Sequence, residues 1–125
     1  MKKIESREEL AEAYQRIFAV VPPSLAVKES TFDAQGLGDA IDAIEATRMA
    51  VLEAGPLTPR EVQLIQFGMC AAMVYQPGAD LHAGAALAQG ATEADLLQVT
   101  EVAWVVAGAL GFNTAFTGVK NATSK

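Results

Sequence analysis

The punctuation between residues 55 and 95 constrains the fold more than any other feature of the chain. Gly55-Pro56 stops one segment, and Thr58-Pro59-Arg60-Glu61 opens the next. Threonine serves as N-cap, proline occupies the first helical position and glutamate the third. From Leu64 onward this helix is apolar nearly all round, to about Tyr75. A helix without a polar face must be covered by a bundle or by another subunit. Gln76-Pro77-Gly78 breaks it. Pro77 cannot continue a helix but suits the first turn of a new one. The next helix therefore runs to about Gln89, is built of small residues around His82, the one histidine of the chain, and stops at Gly90. Thr92, with Asp95 three residues later, caps the start of another.

The flanking segments read the same way. Ser6-Arg7-Glu8-Glu9 is a capping-box pattern, followed by Leu10, Tyr14, Ile17 and Phe18 at helical spacing. Pro22-Pro23 ends that helix near Val20. Residues 23–35 leave a short helical turn or a loop open. Gly36-Leu37-Gly38 is a breaker, and Asp39 starts a helix to about Ala54 with Ile41, Ile44, Val51 and Leu52 on its apolar side. The helix from Thr92 continues through Val99, Val102, Trp104 and Val106. Gly108 and Gly111 then mark a tight turn or a close helix crossing, before a last helical segment at 113–121. Aromatic residues make up only 6% of the chain and alanine is abundant, which favours helix over sheet. The expectation is an all-α protein, a single domain over residues 1–125 with about six helices.

Charge and cysteine content exclude several function classes. The net charge is −6 and the nine basic residues are scattered, so no nucleic-acid partner is expected. A single cysteine excludes an intramolecular disulfide and a multi-cysteine zinc site, and fits a reducing compartment. The start, MKKIESREEL, lacks the apolar stretch of a secretory signal. The apolar run Val102–Leu110 is about half the roughly 20 residues of a membrane span. The chain reads as cytoplasmic, with no membrane partner. No metal-spaced cluster and no glycine-rich phosphate loop is visible in the sequence, so no metal is expected.

Five residues carry the candidate chemistry. His82 lies in the first two turns of its helix, where the positive end of the helix dipole favours a neutral ring. A neutral imidazole beside a helix break suits general acid–base work. Tyr75 and Gln76, at the break, offer a phenol and an amide to a substrate, or simply cap the helix end. Asp80 is two residues from His82, so their side chains diverge by about 200° on a helix; it reads as a first-turn charge more than as a catalytic partner. Cys70 sits mid-helix with no cation near it in sequence, where a cysteine is usually an inert small hydrophobe.

With Thr58-Pro59-Arg60-Glu61, then His82 on an alanine-rich helix, then Gly90-Ala91-Thr92-Glu93-Ala94-Asp95, the chain resembles the carboxymuconolactone decarboxylase family. The alkylhydroperoxidase-D-like proteins belong to the same superfamily. The resemblance spans roughly residues 56–116, leaving 1–55 as N-terminal helices. It implies an alkylhydroperoxidase-D-like helical subunit that assembles as a trimer or hexamer, with sites near subunit contacts. The peroxidase branch carries a Cys-x-x-Cys pair at this break, and registering its histidine on His82 places the two thiols at Tyr75 and Gly78. Both are lost. Disulfide exchange needs an attacking and a resolving thiol, so the dithiol peroxidase activity should be absent.

What the resemblance leaves is the decarboxylase branch, which uses acid–base residues without a cofactor. The leading expectation is a cofactor-free enzyme acting on a small oxoacid or lactone. His82 would be its general acid/base, and Tyr75, Gln76, Asp80 and Cys70 the candidate substrate-binding residues. Arg48 and Arg60 are the nearest cations for an acidic substrate, and both read as solvated. The rival is a non-catalytic oligomeric ligand-binding or scaffold protein that keeps the fold.

Overall fold

The computed structural model describes residues 3–124. Among these lie six helices and no strand: α1 (Arg7–Phe18), α2 (Ser24–Ala34), α3 (Gly38–Glu53), α4 (Pro59–Ala72), α5 (Gln76–Ala88) and α6 (Glu93–Thr123). They form two compact units, Met1–Pro56 and Leu57–Lys125, divided at the Gly55-Pro56 stop.

In the first unit, α1 and α2 each pack on α3. Leu10, Ala13, Tyr14, Ile17 and Phe18 are the buried stripe of α1, at the spacing the sequence predicts. The ambiguous stretch after Pro23 is helical. Its apolar content is thin, and only Leu25 is buried. A polar network ties the three helices together around Glu45. The Glu45 carboxylate accepts from the Tyr14 hydroxyl at 2.6 Å and from the Lys28 ammonium. Arg48 donates to the Tyr14 oxygen at 2.8 Å and lies over the Phe18 ring. Arg48 is therefore engaged within this unit, not simply solvated. Burial alone would raise the Glu45 carboxyl, but the bonds from Lys28 and Tyr14 outweigh it and hold the group below the ordinary carboxylate range. Burial and the bond to Glu45 push the Tyr14 phenol up to about 12.

The second unit is built on close helix approach. Phe67 and Ala71 from α4, Ala79, Ala83 and Ala86 from α5, and Leu96, Ala103, Ala115 and Val119 from α6 form one core. Alanine at nearly every inward position of α5 lets that helix sit tight against both neighbours. Gly118 marks one such close approach: a Cβ there would lie 3.2 Å from the Phe67 ring and 3.3 Å from the Ala79 carbonyl oxygen.

Caps fix where these helices begin. Thr58 and Thr92 both make complete capping boxes, with Glu61 and Asp95 returning bonds to the cap backbone. Ser6 accepts from the Glu9 amide, but Glu9 bonds back to the Glu5 amide, so that box is half made. Helix ends fall earlier than the periodicity predicts. Helix α1 stops at Phe18 because Ala19 turns left-handed (φ 61°) and its N–H closes on the Gln15 carbonyl. Helix α4 stops at Ala72, three residues short of Tyr75, because Val74 does the same (φ 57°).

Within α6, Gly108 is non-helical (φ 73°, ψ −161°), so the glycine break expected there is present and α6 is two helical segments joined at a kink. By length and composition α6 is apolar enough to cross a membrane, and a third of its most apolar window is buried inside the protein. The Gly108 conformation is essentially closed to other residues. No neighbour lies within 4 Å of a Cβ added there, so substitution costs backbone strain alone. Gly108→Ala should lower stability by about 1–3 kcal/mol in urea unfolding. The acidic groups set a second expectation. Asp33, Glu45, Glu53, Glu61 and Asp95 all titrate below their ordinary values in the folded chain. A carboxyl depressed by folding stabilises above its unfolded pKa and loses that contribution as pH falls through the folded one. The melting temperature should therefore be level near neutrality and drop as pH falls below about 4.

Candidate functional site

The site begins with two left-handed residues. At the end of α4, the Val74 amide donates to the Ala71 carbonyl and the Tyr75 amide reaches back to Cys70, closing a Schellman turn. The end of α5 repeats it, with Gly90 (φ 98°) left-handed and the Ala91 amide bonded to Ala86. Glycine takes this conformation without strain, whereas a β-branched valine does not. The break after α4 thus holds a strained residue one position before Tyr75.

The turn sends α5 back along α4, and two contacts define their shared face. His82 Nδ1 lies 2.8 Å from Gln63 Oε1, with both side chains buried, at 5% and 1% exposure. An amide oxygen only accepts, so Nδ1 carries the proton and donates it. In the neutral ring the lone pair is then on Nε2. His82 is the seventh residue of α5. That is beyond the first turn in which a helix end exerts its field, so the dipole expected to keep the ring neutral acts weakly there, and the contact that orients the ring is the one to Gln63.

The second contact lies one turn earlier on α5. A Cβ on Gly78 would sit 2.6 Å from Cys70 Sγ and 2.6 Å from the Tyr75 ring. Cys70 and Tyr75 therefore converge on Gly78. Burial pushes the Cys70 thiol up, away from the thiolate that redox chemistry requires. Tyr75 is 55% exposed.

Gln76 and Asp80 face another way. Gln76 Nε2 donates to Asp80 Oδ1 at 2.7 Å and to the Thr114 carbonyl at 3.0 Å, and Asn121 donates to Asp80 Oδ2 at 3.1 Å. These bonds fasten the start of α5 to the last turns of α6. Asp80 thus meets α6 while His82 meets α4, the divergence expected from their spacing. Of the sequence candidates, His82, Cys70 and Tyr75 share the α4–α5 side, and Gln76 and Asp80 form a separate polar tie.

Gln63 is the residue that sequence reading passes over. It precedes Phe67 and Ala71 at four-residue steps, on the buried stripe of α4. A polar side chain in such a stripe needs a buried partner, and that requirement was the available signal. One turn along, Gln66 Oε1 is buried with no hydrogen-bond donor among the described residues. Arg60 is no free cation, since it pairs with Asp95 at 2.9 Å. A cavity of about 200 Å³ lies by the start of α1, lined by Arg7, Leu10 and Asp42 among others. A groove of about 510 Å³ runs between α4 and α6. His82 lines neither. No group of three His, Cys, Asp or Glu side chains among the described residues is placed to hold a metal ion.

Two substitutions test this geometry. Val74→Gly should raise stability by about 0.5–1 kcal/mol, the relief of left-handed strain less the added freedom of glycine when unfolded. Gly78→Ala should lower it by about 1–3 kcal/mol through overpacking. In a Cys70→Ala background the same change should cost less, since only the Tyr75 ring then opposes the added methyl, and urea unfolding of the four-member cycle reads the difference.

A model of the carboxymuconolactone decarboxylase family matches residues 38–120. The match begins at the first residue of α3 and covers all of α4 and α5 and α6 as far as Lys120. No curated protein and no solved structure matches the chain. The matched span takes in two thirds of the sequence, including the His82 helix, its capped neighbours and the all-helical core around them. The chain belongs to the carboxymuconolactone decarboxylase family.

Proposed function

We propose that this chain is a cofactor-free acid–base enzyme that acts on a small oxoacid or lactone, with His82 as the proton-transfer group. The observation that supports the reading is the buried Nδ1–H bond to Gln63. It holds the ring in one orientation and leaves Nε2 as the proton-accepting nitrogen. Loss of CO2 from an oxoacid leaves the bonding electron pair on the adjacent carbon as an enolate. Protonated His82 then delivers its Nε2 proton to that carbon. In an isomerisation, neutral Nε2 removes the proton from a carbon beside a carbonyl and returns it elsewhere. Gln63 accepts from Nδ1 in both charge states of the ring, so the imidazole need not turn during the cycle.

Tyr75, Gln76, Asp80 and Cys70 remain the candidate substrate contacts. Tyr75 presents the most accessible side chain of the four. A thiol mechanism is disfavoured on two grounds: disulfide exchange needs a pair, and the one cysteine has its thiol pushed up by burial. The free cysteine fits a reducing, cytoplasmic setting. One observation favours a second reading, a non-catalytic binding protein: neither cavity described above is lined by His82.

Turnover of a panel of small oxoacids and lactones, followed by CO2 release and carbonyl absorbance, tests both readings. His82→Gln keeps an N–H for Gln63, so the fold should persist while kcat drops by about 10²–10⁴. Retained turnover in that variant would remove His82 from the chemistry. Gln63→Leu should lower both kcat and stability, the latter by about 1–3 kcal/mol, because it leaves a buried donor unsatisfied. Ligands that raise the melting temperature but are never turned over would favour the binding protein.

A further inference from the structure

Helix α2 is attached to the first unit by charge more than by apolar burial. Its 11 residues bury only Leu25, and Val27 is 63% exposed. A helix this short is marginal by itself in water. Its N-cap, Pro23, offers no side-chain oxygen, and the Ser30 and Thr31 hydroxyls both bond back to the Val27 carbonyl. What holds α2 is ionic. Arg7 of α1 donates to both oxygens of Asp33, at 2.7 and 2.8 Å, and lies 3.6 Å from Glu29. Lys28 pairs with Glu45 of α3. We infer that α2 is a strap, closed by an ionic clasp centred on Arg7, that undocks as a unit while α1 and α3 stay together. This inference is independent of the chemistry proposed for His82.

Three observations carry it. The first is that room is made for the clasp. Arg7 also donates through Nε to Asp42 of α3 at 2.9 Å, so one guanidinium joins all three helices. The Asp33 carboxylate lies over Gly38, the first residue of α3. A Cβ there would overlap Asp33 Oδ1 and come 3.1 Å from Arg7 Nη2. Glycine leaves that space, at a helical position where its conformational freedom is otherwise a cost. The second is a narrow balance. Glu29, Asp33 and Asp42 gather on one cation, and Glu29 Oε2 is buried with no hydrogen-bond donor among the described residues. Closure therefore holds carboxylates together against their mutual repulsion and leaves one polar atom unmatched. The third is the arrangement of joints. Ala19 (φ 61°) and Pro22-Pro23 precede α2, and Gly36 (φ 71°) follows it. Meanwhile α1 and α3 keep ties of their own. Arg16 donates to both oxygens of Glu53 at 2.7 and 2.8 Å, and Tyr14 donates to Glu45. Undocking α2 releases Lys28 from Glu45 and breaks neither.

Native-state hydrogen exchange of the full chain, read by mass spectrometry, tests the strap. Amides of α2 should show protection at least about 100-fold below those in the inner turns of α1 and α3. Gly38→Ala displaces the Asp33 carboxylate without changing any charge. It should lower α2 protection by a further about 3- to 10-fold, the loss of a well-aligned ion pair. Protection in α1 and α3 should stay level or rise, because alanine favours the α3 helix. Arg7→Met removes the clasp outright and should act in the same direction more strongly; if that variant does not fold, Gly38→Ala still reads the clasp. Wild-type protection in α2 equal to that in α1 and α3 would overturn the inference. So would a folded Gly38→Ala chain with α2 protection unchanged, or with all three helices losing protection together.

Discussion

How closely α5 can approach α4 and α6 governs everything in the second unit. Ala79, Ala83 and Ala86 belong to the core, and a Cβ added to Gly118 of α6 would lie 3.3 Å from the Ala79 carbonyl oxygen. Larger side chains at these positions would push the helices apart by overpacking a core that has little room to adjust. The approach is what brings Gln63 and His82 to 2.8 Å from two different helices. It is also what makes Gly78 necessary, because Cys70 and Tyr75 fill the volume a side chain would need. The small residues of α5 are thus the means by which the candidate site is held together.

A buried polar pair in such a core carries a clear energetic signature. The Gln63–His82 bond nets little stability by itself, but loss of either partner leaves the buried donor or acceptor of that bond unmatched. The pair fixes the orientation of the ring within an otherwise alanine-lined helix packing, and that orientation is what supports the proposed chemistry. Cys70, by contrast, sits against Gly78 with its thiol pushed up by burial, as a space-filling side chain would. The break that holds paired thiols in the peroxidase branch is here shaped by a left-handed Val74, a tyrosine ring and a tightly packed glycine.

Local signals in the sequence were reliable wherever the physics is local. The Thr58 and Thr92 boxes, the Gly90 stop and the glycine interruption near residue 108 are all present, because caps and left-handed turns depend on a few adjacent residues. The left-handed Val74 escaped, since no propensity places a β-branched residue there; tertiary packing overrides it. Gln63 escaped for a related reason. Its partner is 19 residues away on another helix, and only the fold brings them together. The apolar character of α4 was legible, but its consequence was not. Periodicity cannot say whether Met69 and Met73 end inside the unit or outside it, and both are exposed. Arg48 and Arg60 read as solvated cations, yet each is engaged by side chains distant in sequence.

The chemistry proposed for the site depends on where His82 keeps its proton. The chain has one histidine, so long-range proton–nitrogen correlation of the labelled ring reports on that residue alone. At a pH where the ring is neutral, the hydrogen bond to Gln63 predicts the proton on Nδ1 and the lone pair on Nε2. This tautomer should shift toward Nε2–H on replacement of Gln63 by leucine. A neutral ring protonated at Nε2 in the wild type would contradict the assignment of His82 as an Nε2 base, and with it the chemistry proposed for this site.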